Sequence, residues 1–287
     1  MNVEELWWSY GRLCHTVPGV LYPLPADVEE IERNDNIHYM YQYITGGDSA
    51  IRATQVHRVL DVGCGSGQWL RGMAWSNPHG QYVGVDIVDS RKRNVRANPK
   101  IRFLRHDILS SPIPLADGSM DMIHQQFLQL AIPTDSWKKV LTEYHRILRP
   151  GGWCEVIEGG LVLQRPGPLG QRVNAYLHLV AKAVRVDLGL DDHIPQFFPQ
   201  AGLSDLRRTE IPCGIGSWAG PQGSFGVKTL LGLVEALNDR LCAMGIPQEE
   251  VEEVLEGLAD EVDIWETYTI FIHPPPSKPA AQSPWDS

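Results

Sequence analysis

The stretch that most limits what this chain can become is Val59-Leu60-Asp61-Val62-Gly63-Cys64-Gly65-Ser66-Gly67-Gln68-Trp69-Leu70. An apolar run reads as a buried strand, and the segment after the glycines reads as a helix. Glycines at alternate positions let the backbone take positive φ and let a flat ligand approach without a Cβ in the way. Dinucleotide loops carry their third glycine one position later, where this chain has Gln68, so nicotinamide-dependent hydride transfer is disfavoured. Further on, Tyr82-Val83-Gly84-Val85-Asp86 is a second apolar run that ends in a carboxylate. An acid there can accept hydrogen bonds from two ribose hydroxyls, which makes Asp86 the candidate sugar anchor.

The pattern then alternates as a doubly wound α/β protein does. Strands are predicted at about 56–61 and 81–86, at Ile101–Arg105, at Met120–His124 and at Trp153–Ile157. Helices are predicted at about 67–76, stopping before Asn77-Pro78, and over Thr134–Leu148, stopping at Arg149-Pro150-Gly151-Gly152. Open α/β sheets bind ligands outside the carboxyl ends of their strands. That edge receives Asp107 and Ile108 after the third strand, His124 to Phe127 after the fourth and Glu158 after the fifth. His124 has the residue type of a general base at neutral pH, although a histidine just inside a strand end can equally be structural. Glu158 is an alternative base or a capping acid. Beyond the fifth strand come a helix at Val173–Leu188, a strand at Leu203–Ile211, a helical pair at about 221–264 and a last strand at Tyr268–Ile272.

These motifs resemble the class I S-adenosylmethionine-dependent methyltransferases, through VLDVGCGSG (59–67), GVDI (84–87), HDIL (106–109) and LRPGGW (148–153). Within that superfamily the chain resembles the secondary-metabolism branch that includes fungal regulator-type methyltransferases, through YPLPADVEEIERNDNIH (22–38) and DMIH (121–124). The resemblance implies a mostly parallel seven-stranded Rossmann-like sheet with an N-terminal helical lid and a helical insertion before the last strand. It implies that Asp61 and the loop of Gly63, Cys64, Gly65 and Gly67 hold the methionyl part of the donor. Asp86 would hold ribose; Asp107 would take the adenine amine and Ile108 the ring, with Ile87 and Gln125 in the same donor-binding set. Arg33 matches a recurring basic position of the branch and could pair with the donor carboxylate or lie in a surface ion pair; Asp107 could instead cap a turn. Tyr22, Gln126 and Phe127 are the candidate acceptor-binding residues, joined by Trp218 and Phe225 where the insertion roofs the site.

The N-terminal segment is rich in aromatic residues, Trp7, Trp8, Tyr10, Tyr22, Tyr39, Tyr41 and Tyr43, and reads as a lid or as packing. Asp27–Ile44 suits a helix, with Asp27 as N-cap and Val28, Ile31, Ile37, Met40 and Ile44 near one side. Exchange of this arm with a second copy would give a homo-oligomer. One domain is expected over 1–273: lid 1–50, donor-binding half 51–165, and substrate-side half 166–273 with its insertion at about 214–264. Residues 274–287, rich in Pro, Ser and Ala, read as a disordered tail.

A net charge of −10 argues against a nucleic-acid partner. Arg91-Lys92-Arg93, with Arg96 and Lys100, reads as a solvated face. Five scattered cysteines form no C-x-x-C pair, so no metal is expected. The acidic start lacks a signal peptide's basic segment and no apolar run is long enough to span a membrane, so a cytoplasmic location without a membrane partner is expected. The expected reaction is methylation of a small, largely apolar acceptor at carbon, oxygen or nitrogen, leaning slightly to carbon. A donor-binding regulator without turnover is the alternative.

Overall fold

A computed structural model describes residues 6–9, 11–15, 17–47, 55–88, 98–189, 194–204, 209–273 and 278–279. Tyr10, the Arg91–Arg93 and Arg96 cluster, and all of the expected tail except Lys278–Pro279 lie outside the described residues.

Apolar strands from the middle of the chain form one seven-stranded sheet. Its members are β3 (Arg58–Val62), β4 (Gln81–Asp86), β5 (Ile101–Arg105), β6 (Met120–Gln126), β7 (Leu148–Gly159), β9 (Thr209–Gly214) and β10 (Tyr268–His273). Their order is β5-β4-β3-β6-β7-β10-β9. The first five run parallel, and β10 is antiparallel to both neighbours. Strand order reverses between β3 and β6, where Asp61 pairs with His124 in register. That reversal opens a crevice at the carboxyl ends, where such sheets bind ligands. This is the Rossmann-like methyltransferase fold.

Helices cover both faces for a reason visible in their spacing. Helix α3 (Trp137–Ile147) buries Trp137, Val140, Leu141, Tyr144 and Ile147, one continuous stripe. Helix α2 (Gln68–Ser76) buries Trp69, Leu70, Met73 and Ala74 beneath β3 and β4. Helices α4 (Pro168–Ala183), α6 (Pro221–Ala243) and α7 (Gln248–Ile264) share a separate apolar core that includes Val173, Leu177, Leu237, Leu241, Val251 and Val254. The insertion before β10 is this α6–α7 pair.

Helix α1 (Val28–Thr45) follows a different rule. Asp27 caps it, accepting from the Glu30 N–H, and Gly46 ends it in the left-handed conformation. Yet Val28 is 68% exposed while Glu30, Arg33, His38, Met40 and Tyr41 are buried. The apolar set expected to face inward does not define its buried face. A helix that roofs a polar cavity need not bury an apolar stripe.

The hairpin β1 (Leu6–Ser9) and β2 (Arg12–His15), and the short helix α5 (Ile194–Gln200), had no clear sequence signal. The strand expected at Leu203–Ile211 divides into β8 (Leu203–Ser204), which pairs with β11 (Lys278–Pro279), and the sheet strand β9. The helix expected at Val173–Leu188 starts earlier, because Pro168 supplies a pre-set first-turn φ, and ends at Ala183.

Candidate active site

A cavity of about 1270 Å³, counting its open mouth, lies at the carboxyl ends of β3, β4, β5 and β6. Asp61, Gly63, Cys64 and Gly65 form one wall; Asp86 and Ile87 another; Asp107 and Ile108 a third. Three stretches far apart in sequence therefore meet at one sheet edge.

The turn's geometry explains its glycines. Gly63 takes φ 69° and sits so near Leu128 that a Cβ would lie 2.5 Å from that side chain. Gly65 takes φ 50°, and a Cβ there would meet nothing within 4 Å. Gly63 is thus glycine for conformation and for packing, whereas Gly65 leaves backbone bare toward the cavity. Gly67 lies outside the lining and is the left-handed N-cap of α2. Asp86 braces the turn: its Oδ2 accepts from the Gly65 N–H at 2.9 Å and its Oδ1 from the Val88 N–H at 2.9 Å. Each carboxylate oxygen can take a further bond, as a sugar diol requires. Asp107 Oδ1 accepts from the Leu109 N–H at 2.9 Å while the residue faces the cavity, so turn-capping and ligand binding coexist.

Asp61 carries the strongest electrostatic signal. Burial pushes its carboxyl pKa up to about 7, with the charge of His124 opposing and that of Asp86 adding to the rise. A cation brought into the cavity would favour the ionised form.

Helix α1 closes the cavity with Glu30, Ile31, Asn34, Asp35 and His38, which share one helical face. Ser66 Oγ donates to Asp35 Oδ1 at 2.6 Å, so α1 is latched to the glycine turn. At the other end Arg12 donates twice to Asp27, at 2.5 and 2.6 Å, and ties the hairpin to the start of α1. His15, from that hairpin, also lines the cavity and lies within electrostatic reach of Asp86 and Asp107. Glu30, Ile31, Asn34, Asp35 and His38 all fall within the 22–38 motif that carries the branch resemblance, but none of them was singled out as a site residue, and Arg12 and His15 carried no sequence signal.

Other expected site residues fall elsewhere. His124 is fully buried; its Nδ1 lies 2.9 Å from Glu155 Oε2 and its ring stacks on Trp69 at 3.7 Å. Trp69 lines the cavity and His124 does not. Gln125 is internal as well, accepting from the Tyr144 hydroxyl and donating to Glu158. Glu158 accepts that bond, plus the Leu128 N–H at 3.1 Å and the Gln129 N–H at 2.8 Å, so it clamps the loop after β6. Arg33 is paired twice with Glu30, at 2.8 and 2.7 Å, and faces away from the donor cavity. Tyr22, Gln126 and Phe127 do line it. Trp218 and Phe225 are 44% and 48% exposed, outside the cavity lining.

Residues 59–152 match the family model described as a methyltransferase domain. The chain carries a methyltransferase domain over that stretch. The chain is 27% identical over 242 residues to the secondary metabolism regulator LAE1 of Cochliobolus heterostrophus, a match that covers 79% of this chain and 77% of that one. It is 25% identical over 287 residues to methyltransferase pytC of Aspergillus terreus, covering 94% of this chain and 86% of the relative. Against the laeA regulator of Aspergillus niger the match takes in 53% of this chain and 41% of that one. The fold resembles the cyclopropane synthase MmaA2 of Mycobacterium tuberculosis, with a TM-score of 0.50 at 15% identity over 83% of each chain.

The cavity suits this methyl donor on its own chemistry. An open turn without a Cβ, a buried acid that favours a cation, and an acid at the end of β4 match a sulfonium, an ammonium and a ribose. Ile87 and Ile108 offer apolar faces to a purine. When bound, S-adenosylmethionine supplies an electrophilic methyl group. Among the described residues no group of His, Cys, Asp and Glu is arranged to hold a metal, and no helix is long and apolar enough to cross a membrane.

Proposed function

We propose that the methyltransferase acts on a small, largely apolar, natural-product-like acceptor in secondary metabolism. The observation that carries this reading is the apolar part of the cavity lining. Val20, Tyr22, Ile31, Phe127, Leu128, Ala131 and Ile132 line the cavity along with the candidate donor-binding acids. Such a wall supplies contact area without charge, which suits an apolar acceptor. The names of LAE1 and pytC place similar chains in secondary metabolism and methyl transfer, and support the same reading.

In this reading Asp61, Gly63, Cys64 and Gly65 hold the methionyl part, Asp86 the ribose, and Ile87, Asp107 and Ile108 the adenine. Tyr22, Gln126 and Phe127 face the acceptor. Because the methyl group arrives activated, the chain's task is alignment and exclusion of water, which the α1 roof serves. The lean is to a carbon nucleophile, whose developing cation the faces of Tyr22 and Phe127 would stabilise. An N-terminal arm exchanged between two copies belongs to the same proposal, supported by the exposure of Trp7 and Trp8.

The test uses donor labelled in its methyl group, incubated with the protein and extracts of secondary metabolites. Label is expected in the organic-soluble fraction, dependent on the protein. Donor binding without any labelled small molecule would instead favour a regulator that does not turn over.

A further inference from the structure

Burial does not explain the place of the N-terminal hairpin. Trp7 and Trp8 of β1 are 69% and 67% exposed, and all four residues of β2 are only partly covered. A two-stranded ribbon that buries so little does not hold itself together in water. It is held from outside instead. Arg12 pairs with Asp27 through two bonds and with Glu29 at 3.1 Å, and the Leu13 carbonyl accepts from the Ala26 N–H at 2.7 Å. At the turn, Gly11 lies so near Asp239 of α6 that a Cβ there would collide with the carboxylate. These ties fix the hairpin against the start of α1 and against α6, and they deliver the last residue of β2, His15, to the wall of the donor cavity.

We infer that His15 is a donor-binding residue whose imidazole hydrogen-bonds the nucleoside part of S-adenosylmethionine. The inference rests on the donor reading of that cavity and adds to it a residue from outside the sheet.

Three observations carry it. The first is position: His15 shares the lining with Asp86, Ile87, Asp107 and Ile108, and the cavity charges it feels are those of Asp86 and Asp107. These are the acids of the ribose and the adenine, so the ring stands at the nucleoside end. The second is shape. The His15 and Tyr22 rings are stacked with centroids 6.1 Å apart and planes 26° from parallel, and both residues line the cavity, so flat surface is available to a sugar or a purine. The third is an incomplete hydrogen bond. His15 Nδ1 is buried and has no hydrogen-bond partner among the described residues, whereas buried polar atoms are ordinarily paired. Burial also holds the imidazole pKa below its ordinary value, against the raising influence of the Tyr22 backbone, Asp86 and Asp107. A neutral ring has one donor and one acceptor. That suits the hydroxyls and ring nitrogens of a nucleoside better than the charged amino acid end.

The test is calorimetric titration of S-adenosylhomocysteine, and of methylthioadenosine, which has the nucleoside without the amino acid end, into the full chain and two variants. His15→Ala removes the ring, while His15→Phe keeps a flat ring beside Tyr22 and removes both nitrogens. The expected result is at least tenfold weaker binding of S-adenosylhomocysteine by His15→Ala and at least threefold by His15→Phe, with methylthioadenosine weakened by the same factors. Should the alanine variant not fold, the phenylalanine variant decides alone. Three results would overturn the inference: His15→Phe binding both ligands as tightly as wild type, a loss for S-adenosylhomocysteine that methylthioadenosine does not share, or a wild type that binds S-adenosylhomocysteine and not methylthioadenosine. A wild type that binds neither ligand would overturn the donor reading itself, and is thereby distinguished from a failure of His15 alone.

Discussion

Two glycines of one turn separate stability from binding. Gly63→Ala puts a Cβ against Leu128 and keeps a strained φ, and is expected to cost about 2–4 kcal/mol from strain and overpacking together. Gly65→Ala meets open space and should cost only about 1–2 kcal/mol, yet its methyl enters the donor cavity. Thermal melts with calorimetric titration of S-adenosylhomocysteine separate the two. The expected pattern is a large loss of stability for the first variant, and for the second a small loss with at least tenfold weaker binding. Asp61 gives a pH signature. Its folded pKa, about 7, lies above the unfolded value of 3.8. The folded apo-protein therefore holds a proton that the unfolded chain has released between about pH 4 and 7, and this group's contribution to stability falls as pH rises through that window. Binding of the cationic donor, which favours the ionised acid, should strengthen as pH rises toward and through 7. Asp61→Asn should flatten that dependence in titrations at pH 5.5, 6.5 and 7.5; a wild-type affinity constant across them would contradict the assignment. These residues were readable because the turn and the acid closing β4 lie in short contiguous motifs. His124 was not: its type and register suit a base, but whether its ring turns to the cavity or to Glu155 depends on a partner 31 residues away.

At the scale of elements, the lid is held by two ties. Asp27 is both the N-cap of α1 and the partner of Arg12 in the hairpin, and Asp35 latches α1 to the glycine turn through Ser66. Asp27→Ala removes the cap and the hairpin tie together. The loss of stability expected is about 1–3 kcal/mol, about 1 of it from the cap and the rest from the half-buried pair. It should come with faster proteolysis of the N-terminal segment. Limited proteolysis and thermal melts check this, and a variant as resistant as wild type would show that the hairpin is held some other way. The sheet strands and α3 were legible because their apolar periods are regular and their stops carry Gly and Pro. The burial of α1 was not legible, since its inward face holds Glu30, Arg33 and His38, and charged residues read as solvent-facing until the cavity and the ion pair that cover them are known. The hairpin escaped for a similar reason: Trp7 and Trp8 stay exposed, so no buried alternation marks it.

The whole molecule sets two cavities with unlike walls side by side. One is ringed by Asp61, Asp86 and Asp107, while the other is apolar with its charges neutralised internally. That second space is built from α1, the β6 loop, α6 and β10, elements spread along most of the chain, and no local pattern announces it. Trp218 and Phe225 looked suited to it by type and position, but they lie outside both cavities at the surface. The first cavity depends on the sheet's reversal between β3 and β6 and the second on α1 and α6, and Tyr22, Asn34 and Phe127 line both.

The most direct measurement is a crystal structure of the protein with S-adenosylhomocysteine. The expected result is a nucleoside with its ribose hydroxyls on the Asp86 carboxylate, its adenine at Ile87, Asp107 and Ile108, and its amino acid end along Gly63 to Gly65. A nucleoside bound anywhere else, or a ribose that does not touch Asp86, would contradict the account.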